Sequence, residues 1–180
     1  MNSRTQNRKK GLPVYEIVVF AFLGVLMLAS KLIMEVLPNI HLLGLFIVCF
    51  TVVYRTKALF PTYIYVFLQG VVSGFAPWWI PYLYVWTVLW AVTMLLPKKM
   101  SRKTCRFVFP LVCALHGLLF GVLYAPGQAL VYGWGFDLTM AWILKGLWFD
   151  LLHCAGDLFA GFLILPLVDL LRKIDKTFKK

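Results

Sequence analysis

The chain has 180 residues, 62% of them hydrophobic and only 14% charged, with a formal net charge of +11. A soluble domain is about 45–50% apolar and about 25% charged, so no water-soluble fold covers this much apolar surface; a bilayer supplies the missing solvent, and helices satisfy the backbone within it. The apolar runs are continuous rather than alternating, which excludes a β-barrel, and the basic residues sit in short gaps between them, which argues against a nucleic-acid surface.

A spanning helix needs about 20 apolar residues, and six runs approach that length. The first covers residues 14–37 and stops at Pro38-Asn39. The second, 40–54, is short and ends at Arg55-Thr56-Lys57. The third, 60–72, breaks at Ser73-Gly74. The fourth, 78–96, ends at Pro97-Lys98-Lys99. The fifth, 107–124, breaks at Pro126-Gly127. The sixth, 138–171, exceeds one span, so part of it projects or tilts. Gly and Pro punctuate these ends, as expected of helix stops.

Charge sets the expected topology. Arg4, Arg8, Lys9 and Lys10 precede the first run, Arg55 and Lys57 follow the second, residues 98–106 carry five basic groups, and the tail carries Arg172, Lys173, Lys176, Lys179 and Lys180. The loops between carry no Lys or Arg. The predicted fold is therefore an all-α membrane protein of six transmembrane helices with both termini cytoplasmic, in the multi-pass cell membrane. Its parts are a basic tail at 1–12, attracted to lipid, a transmembrane domain at 13–172 and a second basic tail at 173–180. No cleavable signal peptide is expected. Cys49, Cys105, Cys113 and Cys154 lack CxxC spacing, which disfavours a zinc or disulfide framework.

Ionisable groups inside a bilayer are costly and are functional by default. In the sixth run Trp142, Gly146, Asp150, His153, Asp157 and Gly161 recur at spacings of three and four, forming one stripe expected to face the bundle. In the first run Lys31 and Glu35 are spaced to pair. In the fifth, Gly117, Gly121, Tyr124 and Gln128 share a face flanked by His116, the glycines allowing close packing. In the fourth, Tyr82, Trp86 and Trp90 align, with Trp79 nearby, as flat surfaces for stacking. Glu35, Asn39, His41, Gln69, Trp79, Tyr82, Trp86, Tyr124, Gln128, Asp150 and His153 are the candidate binding residues. Most of them map away from the basic loops, where no comparable set is found. A pocket open to the exterior follows, with no catalytic residue, cofactor or metal ligand assigned.

Four segments carry a family resemblance: residues 37–43 (Leu-Pro-Asn-Ile-His-Leu-Leu), 79–84 (Trp-Ile-Pro-Tyr-Leu-Tyr), Leu115-His116-Gly117 with Tyr124-Ala125-Pro126, and Phe149-Asp150 with His153. Over nearly its whole length the chain resembles the substrate-binding S component of energy-coupling factor transporters, in a branch without an assigned substrate. The resemblance implies capture of a vitamin-like or heterocyclic micronutrient from outside. The pocket would lie among helices four to six, covered by the loops joining helices one to two and three to four. It further implies docking on a transmembrane coupling subunit driven by two cytoplasmic ATPases, through small residues on the first helix. Ala21, Val25 and Ala29 follow that spacing, with a bulkier residue in the middle and Gly24 beside them. The chain's lack of a Walker motif agrees with this non-enzymatic role. Two alternatives stand beside it. One is a stand-alone proton- or cation-coupled carrier using Asp150, His153 and Asp157. The other is a rhomboid-like protease pairing Ser73 with His153, which the Gly-Val-Val-Ser-Gly spacing disfavours.

Overall fold

The computed structural model describes residues 11–37 and 39–178. The amino-terminal tail up to residue 10, expected to be attracted to lipid, and the last two residues of the expected basic carboxyl tail lie outside the described residues, as does Pro38. Among the described residues the chain is all helical, in eight α-helices: α1 (Val14–Ile33), α2 (Leu43–Tyr54), α3 (Leu59–Ser73), α4 (Tyr82–Leu95), α5 (Arg102–Leu118), α6 (Phe120–Tyr132), α7 (Phe136–Gly161) and α8 (Ile164–Phe178). Short 3₁₀ turns at Arg55–Ala58 and Pro77–Trp79 lead into α3 and α4.

Four stretches are long and apolar enough to cross a membrane: Val14–Ile33, Leu43–Ser73, Pro77–Leu95 and Arg102–Tyr132; α7 and α8, bent by 51°, give a fifth when taken together. This is the make-up of a multi-pass membrane protein, with fewer and longer apolar stretches than the six expected. The second predicted span is the reason. α2 has 12 residues, a rise of about 18 Å against a hydrocarbon core of about 30 Å.

The direction of each helix can be read from its contacts. Glu16 meets Lys57, Phe20 meets Phe60 and Gly24 faces Ile64, so α1 and α3 run parallel. Phe20 also meets Tyr54, at the far end of α2 from Leu43, so α2 runs against α1. The chain therefore reverses within Leu43–Ser73. Arg55 makes the reversal, with φ 56°, a backbone region that side chains other than Gly rarely adopt. Two bonds hold it there: Trp90 Nε1 donates to the Arg55 carbonyl at 3.1 Å, and Arg55 Nη2 donates to the Met94 carbonyl at 3.2 Å.

α4 runs against α3, since Tyr63 Oη donates to the Leu83 carbonyl and Trp79 Nε1 to the Val66 carbonyl. α5 and α6 together run against α4, with His116 opposite Val85 and Gln128 opposite Pro77. α7 runs against them in turn, Gly161 resting on Pro110 and Gly121 meeting Asp150. One end of the bundle thus gathers Arg55, Lys98, Arg102 and Arg172 around a cavity. Tyr15 donates a hydrogen bond to Asp175 there, joining the start of α1 to the end of α8.

One expected break is displaced, and one run is divided where no break was expected. The fifth run does not stop at Pro126-Gly127; α6 continues through Pro126 to Tyr132. The Tyr84 hydroxyl makes this possible. It donates to the Leu123 carbonyl at 2.7 Å and accepts from the Gly127 N–H at 3.1 Å, so it bridges the backbone pair beside the proline, where a side chain inserted into the ladder accommodates a kink. Tyr84→Phe removes both partners at once, and each buried backbone group left unmade costs about 1–3 kcal/mol. The variant is expected to lower stability by about 2 kcal/mol, measured as the shift of reversible unfolding in mixed micelles. The long sixth run, expected as one helix, is divided at residues 162–163. Pro166 sits in the first turn of α8, where its missing N–H leaves no helix bond unmade. α8 then turns Ile164, Val168 and Leu171 toward the core against α2.

Candidate functional site

The polar stripe of the sixth run is real over part of its length. Asp150, His153, Asp157 and Gly161 are all buried, whereas Gly146 meets no other atom within 4 Å of a built Cβ. The stripe therefore packs against α5 and α6 at its lower part and opens around Gly146. Small residues on the facing helix create the fit. A Cβ on Gly121 would collide with the Asp150 carboxylate, and one on Gly117 would lie 3.1 Å from the backbone at His153 and Cys154. Asp150 Oδ1 accepts from the Gly121 N–H at 3.1 Å. The glycines are helix-packing positions, as the sequence suggested.

Beside this seam lies a small chamber of about 120 Å³. Its walls are Lys31 from the last turn of α1, Leu37, Asn39, Ile40 and His41 from the α1–α2 connection, Tyr82 from α4, Phe120 from α6 and His153 from α7. Asn39 takes φ 54°, a left-handed conformation that asparagine tolerates better than most residues. An aromatic cluster backs the chamber. Trp86, 1% exposed, touches the rings of His41, Tyr65, Tyr82, His116 and Phe120. Tyr124 extends the cluster by stacking on Phe120 and Trp142.

At the foot of the chamber His41, ahead of α2, meets His153 and Asp157, one turn apart on α7. The rings of His41 and His153 lie 4.5 Å apart between centroids, and His153 Nε2 is 3.4 Å from Asp157 Oδ2. One ligand atom from each of His41, His153 and Asp157 falls within 4.8 Å of the other two. None of this closes a hydrogen bond. His41 Nδ1, both His153 nitrogens and both Asp157 oxygens are buried without a partner among the described residues. A buried polar group in that state costs about 1–3 kcal/mol, so the cluster demands a chemical explanation. The structure also makes room for it, because a Cβ on Gly44 would stand 2.8 Å from Asp157 Oδ2.

The sequence candidates divide into two sets. His41, Tyr82, Asn39 and His153 line the chamber, and Trp86 supports it. The others are engaged elsewhere. Trp79 Nε1 donates to the Val66 carbonyl at 2.7 Å, Tyr124 Oη to the Trp78 carbonyl, and Gln128 Nε2 to the Pro77 carbonyl at 2.9 Å. These three tie the turn before α4 to α3 and α6. Gln69 donates to Ser73 Oγ at 2.8 Å, and Glu35 is exposed on the turn after α1. On α1, Ala21 and Val25 are exposed and Ala29 is half-buried, but Gly24 is buried against Ile64 and the Pro61 carbonyl. Gly24 therefore belongs to the α1–α3 contact rather than to a free face.

Sequence reasoning assigned no metal ligands; the structure brings three potential ones together. It also passed over Phe120 as a chamber residue, and it set Asp157 beside His153 on one helix stripe without bringing His41 to them. The basic end was expected to hold no comparable site, yet a cavity of about 380 Å³ opens there between Arg55, Thr93, Lys98, Arg102, Phe109 and Arg172. Its charges already have local uses, with Arg102 Nη2 2.7 Å from Asp169 Oδ2 and Arg55 holding the α2–α3 reversal. No protein family, curated protein or solved structure matches this chain.

Proposed function

We propose that the chain is a membrane-embedded binding subunit, of the kind the S-component resemblance implies. In this reading it crosses the cell membrane six times with both termini inside. It captures a small micronutrient at the end opposite the basic loops and hands it to a separate coupling subunit and its two ATPases, itself performing no chemistry. The carrying observation is the chamber of His41, Tyr82, Phe120 and His153, walled by the α1–α2 connection. Ligand sites are concave, mostly apolar, and carry a few convergent polar groups. Alternating helix directions and the clustering of basic side chains at one end support the six-span topology. At about 120 Å³ the chamber holds an ion or a few heavy atoms, so a vitamin-sized cargo requires the 39–42 segment to withdraw. That segment therefore serves as the lid.

The test is a thermal-shift screen of vitamins, nucleobases and their precursors on the purified chain, combined with co-purification of partner subunits. A cargo at about 100 times its dissociation constant adds about 2.7 kcal/mol of stability, and Tyr82→Ala is expected to lose most of that gain. Failure of every compound to stabilise the wild type, with no coupling subunit or ATPase co-purifying, would overturn the reading. The buried His153–Asp157 contact favours a second reading, a stand-alone proton- or cation-coupled carrier. Uptake by the isolated chain in vesicles that collapses with the proton gradient would establish it instead. The protease alternative gains no support from the geometry, since Ser73 Oγ is held by Gln69 and neither His153 nitrogen has a hydrogen-bond partner among the described residues.

A further inference from the structure

We propose that His41, His153 and Asp157 bind one divalent transition-metal ion of the zinc class at the foot of the chamber. Two imidazoles and a carboxylate are a donor set suited to zinc, cobalt, nickel or ferrous iron. Calcium is disfavoured, because it takes six to eight oxygen ligands. The spacing agrees. Tetrahedral bonds of about 2.0–2.1 Å place neighbouring ligand atoms about 3.3 Å apart; His153 Nε2 and Asp157 Oδ2 are 3.4 Å apart, and the full trio lies within 4.8 Å.

The unpartnered atoms point the same way. A helix-pairing network satisfies its own donors and acceptors, as Asp150 does with the Gly121 N–H. The trio does not: five of its nitrogen and oxygen atoms are buried without a hydrogen bond. A cation coordinated by one nitrogen of each imidazole and by the Asp157 carboxylate gives a partner to one such atom of every residue in the trio at once. The side chains are 1% to 8% exposed, so an ion seated there is shielded from competing water. His41 and His153 also line the chamber whereas Asp157 lies behind them. The fourth coordination position therefore faces the chamber, where water or a donor atom of the cargo completes the shell.

His41 belongs to the connection ahead of α2, and His153 and Asp157 belong to α7. Metal binding then fastens the lid of the proposed pocket to its wall. The proposal shares its chamber with the cargo reading, yet the two fail separately.

The experiment uses the full chain, purified with a histidine-free affinity tag, stripped with chelator and titrated with Co²⁺ as a spectroscopic probe and with Zn²⁺. The wild type is expected to take up about one equivalent of Co²⁺ per chain, with visible d–d absorption of low-coordinate geometry that Zn²⁺ displaces. Removing a residue that merely orients a ligand costs 10–100-fold in affinity, so His41→Ala and His153→Ala are each expected to weaken binding by at least about 100-fold. Asp169→Asn, at the surface pair with Arg102, is expected to bind as the wild type does. Because His153 and Asp157 are packed in the helix seam, His41→Ala is the decisive variant, checked for native helicity and monodispersity. Zinc-edge absorption spectra of the wild type are expected to show two imidazoles in the shell.

Absence of stoichiometric Co²⁺ or Zn²⁺ uptake by the wild type overturns the proposal, as does full-strength binding by a folded His41→Ala chain. A chain stabilised by an organic compound but indifferent to metal loses the metal site and keeps the cargo reading. A chain that binds Co²⁺ through His41 but is stabilised by no organic compound and co-purifies with no coupling subunit or ATPase does the reverse.

Discussion

Trp86→Ala is expected to be the most damaging single change outside the helix termini, lowering stability by about 3–5 kcal/mol. Trp86 is 1% exposed and is the largest fully buried side chain among the described residues. Its ring touches side chains from α3, α4, α5, α6 and the α1–α2 connection, through Tyr65, Tyr82, His116, Phe120 and His41. Within a bilayer the hydrophobic effect does little to hold helices together, because lipid is as apolar as the core; close packing and dispersion do that work. Truncation to alanine leaves a cavity at the meeting point of five elements, and none can close it without separating from another. The indole N–H has no hydrogen-bond partner among the described residues, so the contribution lies in shape rather than polarity. Trp86→Phe is accordingly expected to cost less than half as much as the alanine variant. Equilibrium unfolding of the two variants in mixed micelles checks the ranking; equal losses would show that an unseen polar contact, rather than packing, anchors the residue. The same truncation removes the backing of His41 and Tyr82, so cargo and metal binding should both weaken in Trp86→Ala.

The architecture was legible wherever one physical rule acted alone. Continuous apolar runs report on a nonpolar solvent, and the alternation of loops rich in and free of Lys and Arg groups the basic residues. Arg55, Lys98, Arg102 and Arg172 do converge on one end. The spacing of Asp150, His153, Asp157 and Gly161 placed them on one buried face because helical period alone fixes it. What the sequence could not show were meetings between distant segments. Nothing near His41 announces that its ring will lie 4.5 Å from that of His153. The Leu-Pro-Asn-Ile-His segment marks only the end of a helix. Pro126-Gly127 read as a stop because the rescuing group, the Tyr84 hydroxyl, comes from another helix. Pro166 was the one local signal of the α7–α8 bend, and it was masked by the apolar residues around it. Trp79, Tyr124 and Gln128 were polar groups in a suggestive place, yet each donates to a carbonyl of the structure itself. A side chain's usefulness to a ligand depends on whether the backbone has already claimed it, and that is a tertiary fact.

Gly161→Val should lower stability by about 3 kcal/mol, the upper end of the usual overpacking range. A Cβ at Gly161 would fall on Pro110, against its Cα and Cβ. Two features make the collision hard to relieve. The nearest obstacle is backbone rather than the end of a mobile side chain, and proline has no rotamer that moves it away. α5 and α7 form the most extensive helix pair in the bundle, so a local separation propagates along the seam toward Gly117 and Asp157. Gly161 closes α7, whereas at an interior position glycine is about 1 kcal/mol worse than alanine, and this sets up an internal control. Gly146, on the same face of α7, has no atom within 4 Å of a built Cβ; Gly146→Ala should therefore raise stability by about 0.5–1 kcal/mol. Opposite signs at two glycines of one helix cannot come from propensity alone. If both variants stabilised the chain, the α5–α7 contact at Pro110 would be looser than the structure has it, and the position of Asp157 beneath the chamber would lose the seam that fixes it.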